Sequence, residues 1–339
     1  MMNPSTSRKV WPDVMRVIAT FFVVMNHCGG GGFGINGWPG YSASSVAVAV
    51  FTTLAKPAVL WFFMLSGYLL LGKQESLGDF FKKRFSKVLL PLVIFSAIYI
   101  LADGGLKITG KMDAYHCLTK GAHFHLWFLH ALLVCYLAIP VLRKVCVNTD
   151  LAIQIYLLLL WLFFARWMPL ENRILGVTDT VFGIEASQIT LYAGYLLLGR
   201  LLGRVVLVGG QFWAVLILWI ASSVAMSLAA VSGPPWETFG WGYASPLLML
   251  SASAGFLLLK HIAEIFDGAP WLCRLIHLAP LSLGVYLIHP LLLEHIPLPS
   301  YSGLNSWIEI PLKTLTVFSA ASALVYGGRL LKLGRWIMP

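Results

Sequence analysis

Val14-Met15-Arg16-Val17-Ile18-Ala19-Thr20-Phe21-Phe22-Val23-Val24-Met25-Asn26-His27 is the stretch that decides the fold. It is an apolar run that carries an arginine near its start and a histidine at its end. Arg8 and Lys9 precede it, and His27-Cys28-Gly29-Gly30 closes it instead of a small-residue cleavage site. The run therefore reads as a retained signal anchor rather than a leader that is removed. Nine further apolar runs follow, near 57–71, 88–102, 126–142, 151–169, 188–203, 211–231, 243–259, 275–294 and 310–328. Several are shorter than the roughly 20 residues that a lone spanning helix needs, so neighbouring helices must complete them.

Composition points the same way. Of 339 residues, 58% are hydrophobic and 11% charged, where a soluble domain carries about 25% charged residues. Too few charges remain to coat a water-facing surface. Disorder, a collagen-like fibre and a disulfide-stapled miniprotein are excluded. Thirteen Trp and twelve Tyr suit a protein whose aromatic rings anchor at a bilayer interface. The expectation is an all-α polytopic integral membrane protein of about ten transmembrane helices, forming a single membrane domain over residues 1–339. Five cysteines, an odd number without a C-x-x-C pair, give no disulfide framework and no zinc site.

The net charge of +10 is explained by topology rather than by nucleic acid, which is not an expected partner. With the N-terminus inside, sixteen Lys and Arg fall on inner segments and seven on outer ones. That bias puts both termini in the cytoplasm. The longest loops, about 28–56, 103–125 and 170–187, then lie outside. The first is rich in glycine and reads as a loop or as a flexible lid.

Ionisable residues inside a bilayer are costly and so are candidates for function. Arg16 and His27 are eleven positions apart, within about 20° of one helix face and about 16 Å along it. The plainer reading is an arginine that snorkels to the inner headgroups and a histidine that caps the helix. Arg84 and Lys87 lie three apart at the mouth of the third run, within a basic stretch from Lys82 to Lys87 that ends at Pro91. Three apart, they share a helix face. Besides setting topology, they offer a fork and a point charge for phosphates, and coenzyme A would suit them. Ser66-Gly67, in Trp61-Phe62-Phe63-Met64-Leu65-Ser66-Gly67-Tyr68, reads as close helix packing or as a nucleophile, although the G-x-S-x-G elbow is absent. His125 and His130 are five apart, about 140° round a helix, so they do not share a metal ion. No metal is expected, and one of these imidazoles is a candidate substrate contact. His289 precedes Pro290, which removes a backbone donor and kinks the ninth run. It reads as a histidine bonded to a carbonyl of a neighbouring helix or as a site residue. By this topology His27, Lys56, His125, His130 and His289 fall in the outer half, and Arg16, Arg84 and Lys87 at the inner face.

The Arg16–His27 stripe, Phe-Phe-Met-Leu-Ser-Gly-Tyr at 62–68, the Phe-rich basic run ending at Pro91, His-Leu-Trp-Phe-Leu at 125–129 and Tyr-Leu-Ile-His-Pro at 286–290 together resemble the membrane acyltransferase family 3. Within it the chain looks most similar to surface-polysaccharide O-acetyltransferases of the enterobacterial common antigen type. The resemblance implies ten membrane helices in a bacterial plasma (inner) membrane. It implies acetyl-CoA as a cytoplasmic acyl donor, and a glycan or lipid-linked glycan as acceptor of the acetyl group at a hydroxyl. The family's essential histidine matches His27 and its paired arginine matches Arg16. Its basic motif matches Arg84, with Lys87 where many relatives carry Arg.

On this reading His27 is the general base, or the carrier of an acetyl-histidine. Arg16 orients His27 or the donor; about 16 Å away, it favours the donor. Arg84 and Lys87 hold CoA phosphates, and Lys56 stabilises the oxyanion or holds the acceptor. The alternative is a transporter or flippase of a glycan-lipid without acyl-transfer chemistry, which ten spans and a polar route suit equally well.

Overall fold

The computed structural model describes residues 9–30, 43–102, 122–167, 188–232, 243, 245–296 and 304–331. Among the described residues it is all helical, with no strand. Twelve α-helices follow in order: α1 Trp11–Cys28, α2 Ala43–Ala55, α3 Pro57–Leu70, α4 Leu77–Ala102, α5 Trp127–Asn148, α6 Leu151–Leu162, α7 Gln188–Leu202, α8 Gln211–Ser232, α9 Pro246–Ile265, α10 Pro270–Ile276, α11 Ser282–His295 and α12 Ser306–Leu330. A short 3₁₀ turn, Phe124–Leu126, leads into α5, and another, Ala279–Leu281, leads into α11.

Among the described residues, seven helical stretches are long and apolar enough to cross a membrane: Ala43–Leu70, Leu77–Ala102, Phe124–Asn148, Gln211–Ser232, Pro246–Ile265, Pro270–His295 and Ser306–Leu330. Two apolar stretches, Leu151–Ala165 and Leu191–Leu202, are shorter. The chain is a multi-pass membrane protein. The expected outer loop over 28–56 needs correction. Its second half is α2, a helix with Ala47, Ala49, Thr52 and Thr53 buried, which runs through Lys56 into α3. Serines and threonines at 44, 45, 52 and 53 dilute its hydropathy, and Pro57 reads as a boundary. Yet Pro57 occupies the first turn of α3, where its missing N–H costs nothing. The glycine-rich 31–42, like most of the expected outer loops over 103–125 and 170–187, lies outside the described residues.

α1 is the central pillar, packed against α2, α3, α9, α11 and α12. Trp11, Met15, Ala19 and Val23, at helical spacing, are buried in one large apolar core that also takes Trp61, Phe63, Phe95, Tyr195 and Phe256. A bilayer provides no hydrophobic drive between helices, so packing and hydrogen bonds must hold the bundle. Trp61 donates its indole N–H to Ala252 O at 2.8 Å, tying α3 to α9. The tightest contact is α3 on α7. A Cβ added at Gly67 would lie 1.8 Å from Leu196 O, and one at Gly199 would lie 2.0 Å from Met64 O. The obstructing atoms are backbone and cannot swing aside. The packing reading of Ser66-Gly67 thus describes Gly67. Gly199→Ala should cost stability at or beyond the top of the ~1–3 kcal/mol range for overpacking. Thermal unfolding in detergent should show that loss and spare Gly327→Ala, where nothing stands within 4 Å of the new Cβ.

Candidate active site

Two facing helix turns build the site, each shaped by local sequence. α1 ends directly after His27: Gly29 N–H bonds Met25 O at 2.9 Å, and Gly30 takes a φ of 83° that favours glycine. His27 is therefore held in the last turn. In α11, Pro290 has no N–H to give to the carbonyl four residues earlier, that of Tyr286. His289 fills that vacancy. Its Nδ1 lies 2.8 Å from Tyr286 O and 3.2 Å from Val285 O. Two carbonyls accept only, so Nδ1 carries the hydrogen of the neutral ring and Nε2 carries the lone pair.

That lone pair meets His27. His27 Nδ1 lies 2.7 Å from His289 Nε2, and the two rings are parallel within 1°. With His289 Nε2 the acceptor, His27 Nδ1–H donates. The free lone pair of the pair is then moved to His27 Nε2. A proline in α11 thus sets the tautomer of a histidine in α1 through one intervening ring. The carbonyls that His289 bonds are those of its own helix, not of a neighbouring one as the plainer reading expected, and it meets His27 as well.

His27 lines a small chamber with Asn26, Lys56, His125, Phe128, Tyr243 and Tyr286 among its walls. It measures about 20 Å³, enough for one water or one hydroxyl. Lys56 holds its ammonium 5.1 Å from the ring centre of Tyr243. On the other side of Phe128 and Tyr286 lies a cavity of about 440 Å³, within the range of small-molecule sites. Arg16, Lys87 and Arg329 line it, with Ser66, Tyr136 and Ser282. The rings of Phe128 and Tyr286 touch, edge to face with centres 5.5 Å apart, and form the wall between the two spaces. Arg16 and Arg329 share one cavity, so α1 begins and α12 ends on the same side of the molecule.

The predicted residues separate into groups. His27, Lys56, His125 and His289 meet at or beside the chamber. Arg16, Ser66 and Lys87 meet at the cavity. Arg16 also bonds Asp13 at 2.7 Å. Arg84 is not among the residues lining the cavity. It lies 3.6 Å from Glu75 Oε1, which Arg143 also approaches at 3.2 Å, and both guanidinium groups sit over the Phe80 ring. Sharing a helix face did not give Arg84 and Lys87 one destination, because Glu75 comes back from the turn before α4 to meet Arg84. His130 points its Nδ1 at Leu126 O, 3.1 Å away, and stands apart from both spaces. His125 turns its Nδ1 to His123 Nδ1 at 2.9 Å, and His123 Nε2 meets Glu294 Oε2 at 2.9 Å. Tyr286 donates its hydroxyl to His125 O and so ties α11 to the turn before α5.

Sequence reasoning missed Arg329, Asn26, Ser282 and the bracing pair His123 and Glu294. In the sequence Arg329 is one of the sixteen Lys and Arg of the inner segments and nothing else marks it. Asn26 and Ser282 are uncharged, while His123 and Glu294 stand beside the His125 and His289 motifs, and it is their contact with each other that the sequence does not contain.

The comparison with curated proteins finds no match, and neither does that with solved structures. A family profile described as an acyltransferase domain matches residues 9–326, nearly the whole chain. With its helical membrane architecture, the chain belongs to the membrane acyltransferase family 3 and is a membrane acyltransferase.

Proposed function

We propose that the chain moves an acetyl group from cytoplasmic acetyl-CoA to a hydroxyl of a surface or exported polysaccharide, or of its lipid-linked precursor, in a bacterial plasma membrane. The observation that carries this reading is the His289–His27 pair, which leaves a nitrogen free on a ring that lines a hydroxyl-sized chamber backed by a cationic cavity. The residues present fit the donor. Arg16, Lys87 and Arg329 come from three helices to one cavity, and Ser282 Oγ beside them is buried without a hydrogen-bond partner. Such a group calls for an explanation, and a ligand oxygen would satisfy it. The roughly 16 Å rise from Arg16 to His27 suits the extended arm of CoA, with phosphates at the cations and the thioester at the histidine.

His27 Nε2 takes the proton of the acceptor hydroxyl as its oxygen bonds to the acyl carbon. The imidazolium then returns that proton to the sulfur as the C–S bond breaks, so the ring ends neutral. His289 holds the ring in place and accepts from Nδ1 throughout. The Phe128–Tyr286 wall must part to admit the thioester, and it otherwise keeps the two compartments separate.

Donor binding tests the placement. Lys87→Ala and Arg329→Ala should each weaken CoA binding, measured calorimetrically in detergent, by about 10-fold or more, since hydrogen bonds to charged groups are worth about 1.5–3 kcal/mol. His27→Ala should bind CoA as wild type does. CoA affinity untouched by both cation variants would overturn the placement of the donor.

A further inference from the structure

α4 carries Lys87 to the cavity, and Val88 beside it lines the same space. It is an outer helix, with Leu77, Leu89, Leu90, Val93 and Leu101 exposed. Its inward stripe runs Phe80, Arg84, Val88, Leu92, Phe95 and Tyr99, three or four apart, and Arg84 is the one charge on it. Near its far end, Tyr99 donates its hydroxyl to Leu287 O of α11 at 2.8 Å. Its first turns, which lead to Lys87, are held by Phe80 and Arg84. A guanidinium on that stripe needs an anion, and Glu75 provides it. Glu75 stands just before the helix, with its side chain 6% exposed. Its Oε1 lies 3.6 Å from Arg84 and 3.2 Å from Arg143 of α5, and Lys83 comes within 3.9 Å of Oε2. Arg143 also donates its Nε–H to Leu70 O, at the end of α3, at 3.1 Å. One carboxylate thus ties the end of α3, the start of α4 and the end of α5. Among the described residues no other carboxylate pairs with Arg84 or Arg143. A buried ion cluster adds little net stability over apolar packing, so what this one contributes is a fixed geometry.

We infer that Glu75 is a positioning residue for donor binding: by holding Arg84 and Arg143 it fixes the rotation of α4 and so aims Lys87 into the cavity. The inference rests on the acetyl-CoA reading above. Lys87 follows Arg84 by three positions, about 4.5 Å along the axis and about 60° round it. A twist of α4 that released Arg84 would turn Lys87 by the same angle, away from Arg16 and Arg329. Without Glu75, the guanidinium groups of Arg84 and Arg143 would stay over one Phe80 ring with no counter-charge between them. Their repulsion would push the start of α4 outward. Arg84 therefore serves the donor through Lys87 rather than by touching phosphate.

The test measures CoA binding calorimetrically, with full-length protein in detergent, for Glu75→Gln, Lys87→Ala and the double variant. Gln keeps the shape and an acceptor oxygen but not the charge. Glu75→Gln should weaken CoA binding about 10-fold, and the double variant should bind no more weakly than Lys87→Ala alone. In turnover the loss should fall on the acetyl-CoA KM, not on kcat, because His27 and its chamber are untouched. Independent contributions would instead multiply to about 100-fold in the double variant, and that result would overturn the inference. So would wild-type affinity in Glu75→Gln, or a fall in kcat with KM unmoved. Tighter binding would overturn it as well, since Glu75 would then compete with phosphate for Arg84 and Arg143. Should Glu75→Gln not fold, Glu75→Asp, which keeps the charge on an arm one methylene shorter, carries the same comparison. Lys87→Ala separates the two levels. If it binds CoA as wild type does, or if wild type binds none, the donor reading itself fails. If it binds weakly while Glu75→Gln binds normally, only the role of Glu75 does.

Discussion

His27→Ala is expected to lower acetyl transfer by at least ~10³-fold while the protein still inserts and folds. General-base assistance alone contributes about 10²–10⁴-fold. His27 sits at the end of α1, partly buried and outside the apolar core that holds Trp11, Met15, Ala19 and Val23. Removing its ring therefore leaves the central pillar packed. The variant should match wild type in membrane yield, size-exclusion profile and CoA affinity, and differ in turnover. Unchanged turnover would remove His27 from the chemistry.

His289→Ala is expected to lower kcat by about 10²-fold, with the acetyl-CoA KM little changed. His289 acts through His27, so it is a positioning residue. Without it, His27 Nδ1–H loses its acceptor and the ring is free to take the other tautomer, as when a triad loses the group that orients its histidine. His289 is fully buried, so alanine also leaves a void. His289→Gln separates the two effects, because its side-chain oxygen can accept from His27 Nδ1. It should recover part of the rate lost in His289→Ala. Pro290→Ala provides a second arm: it restores an N–H for Tyr286 O and competes with His289 Nδ1 for that carbonyl. It should depress kcat without the void. A pure packing role would leave kcat in Pro290→Ala at its wild-type value.

These expectations show how far the sequence is legible. The apolar runs announce a helical membrane protein because a bilayer demands long, uninterrupted hydrophobic stretches. Arg16 and His27 announce themselves because ionisable groups there are costly. Their placement on one stripe follows from helix geometry, and the structure puts the one at the cavity and the other at the chamber. What the spacing does not contain is contact between distant segments. His289 was visible beside Pro290, yet its hydrogen bond in the plane of His27, 262 residues away, was not. Pro290 reads as a kink; that it frees the Tyr286 carbonyl and so sets a tautomer follows only with both helices in view. Arg84 shows the converse. Its motif was legible and its partner was not, because Glu75 reaches it across the turn preceding α4. Asn26 carries no charge and breaks no pattern, so only its place in the chamber wall and its buried, unpartnered Oδ1 mark it.

The account's central claim is that the two spaces on either side of Phe128 and Tyr286 serve one acyl transfer. The most direct measurement uses purified protein in nanodiscs with acetyl-labelled CoA and a bacterial glycan-lipid extract as acceptor, comparing wild type with His27→Ala. The account predicts label in the glycan fraction for wild type, matched by CoA release, and both lost in the variant. No CoA binding and no label transfer by wild type would contradict it and favour transport of the glycan-lipid instead.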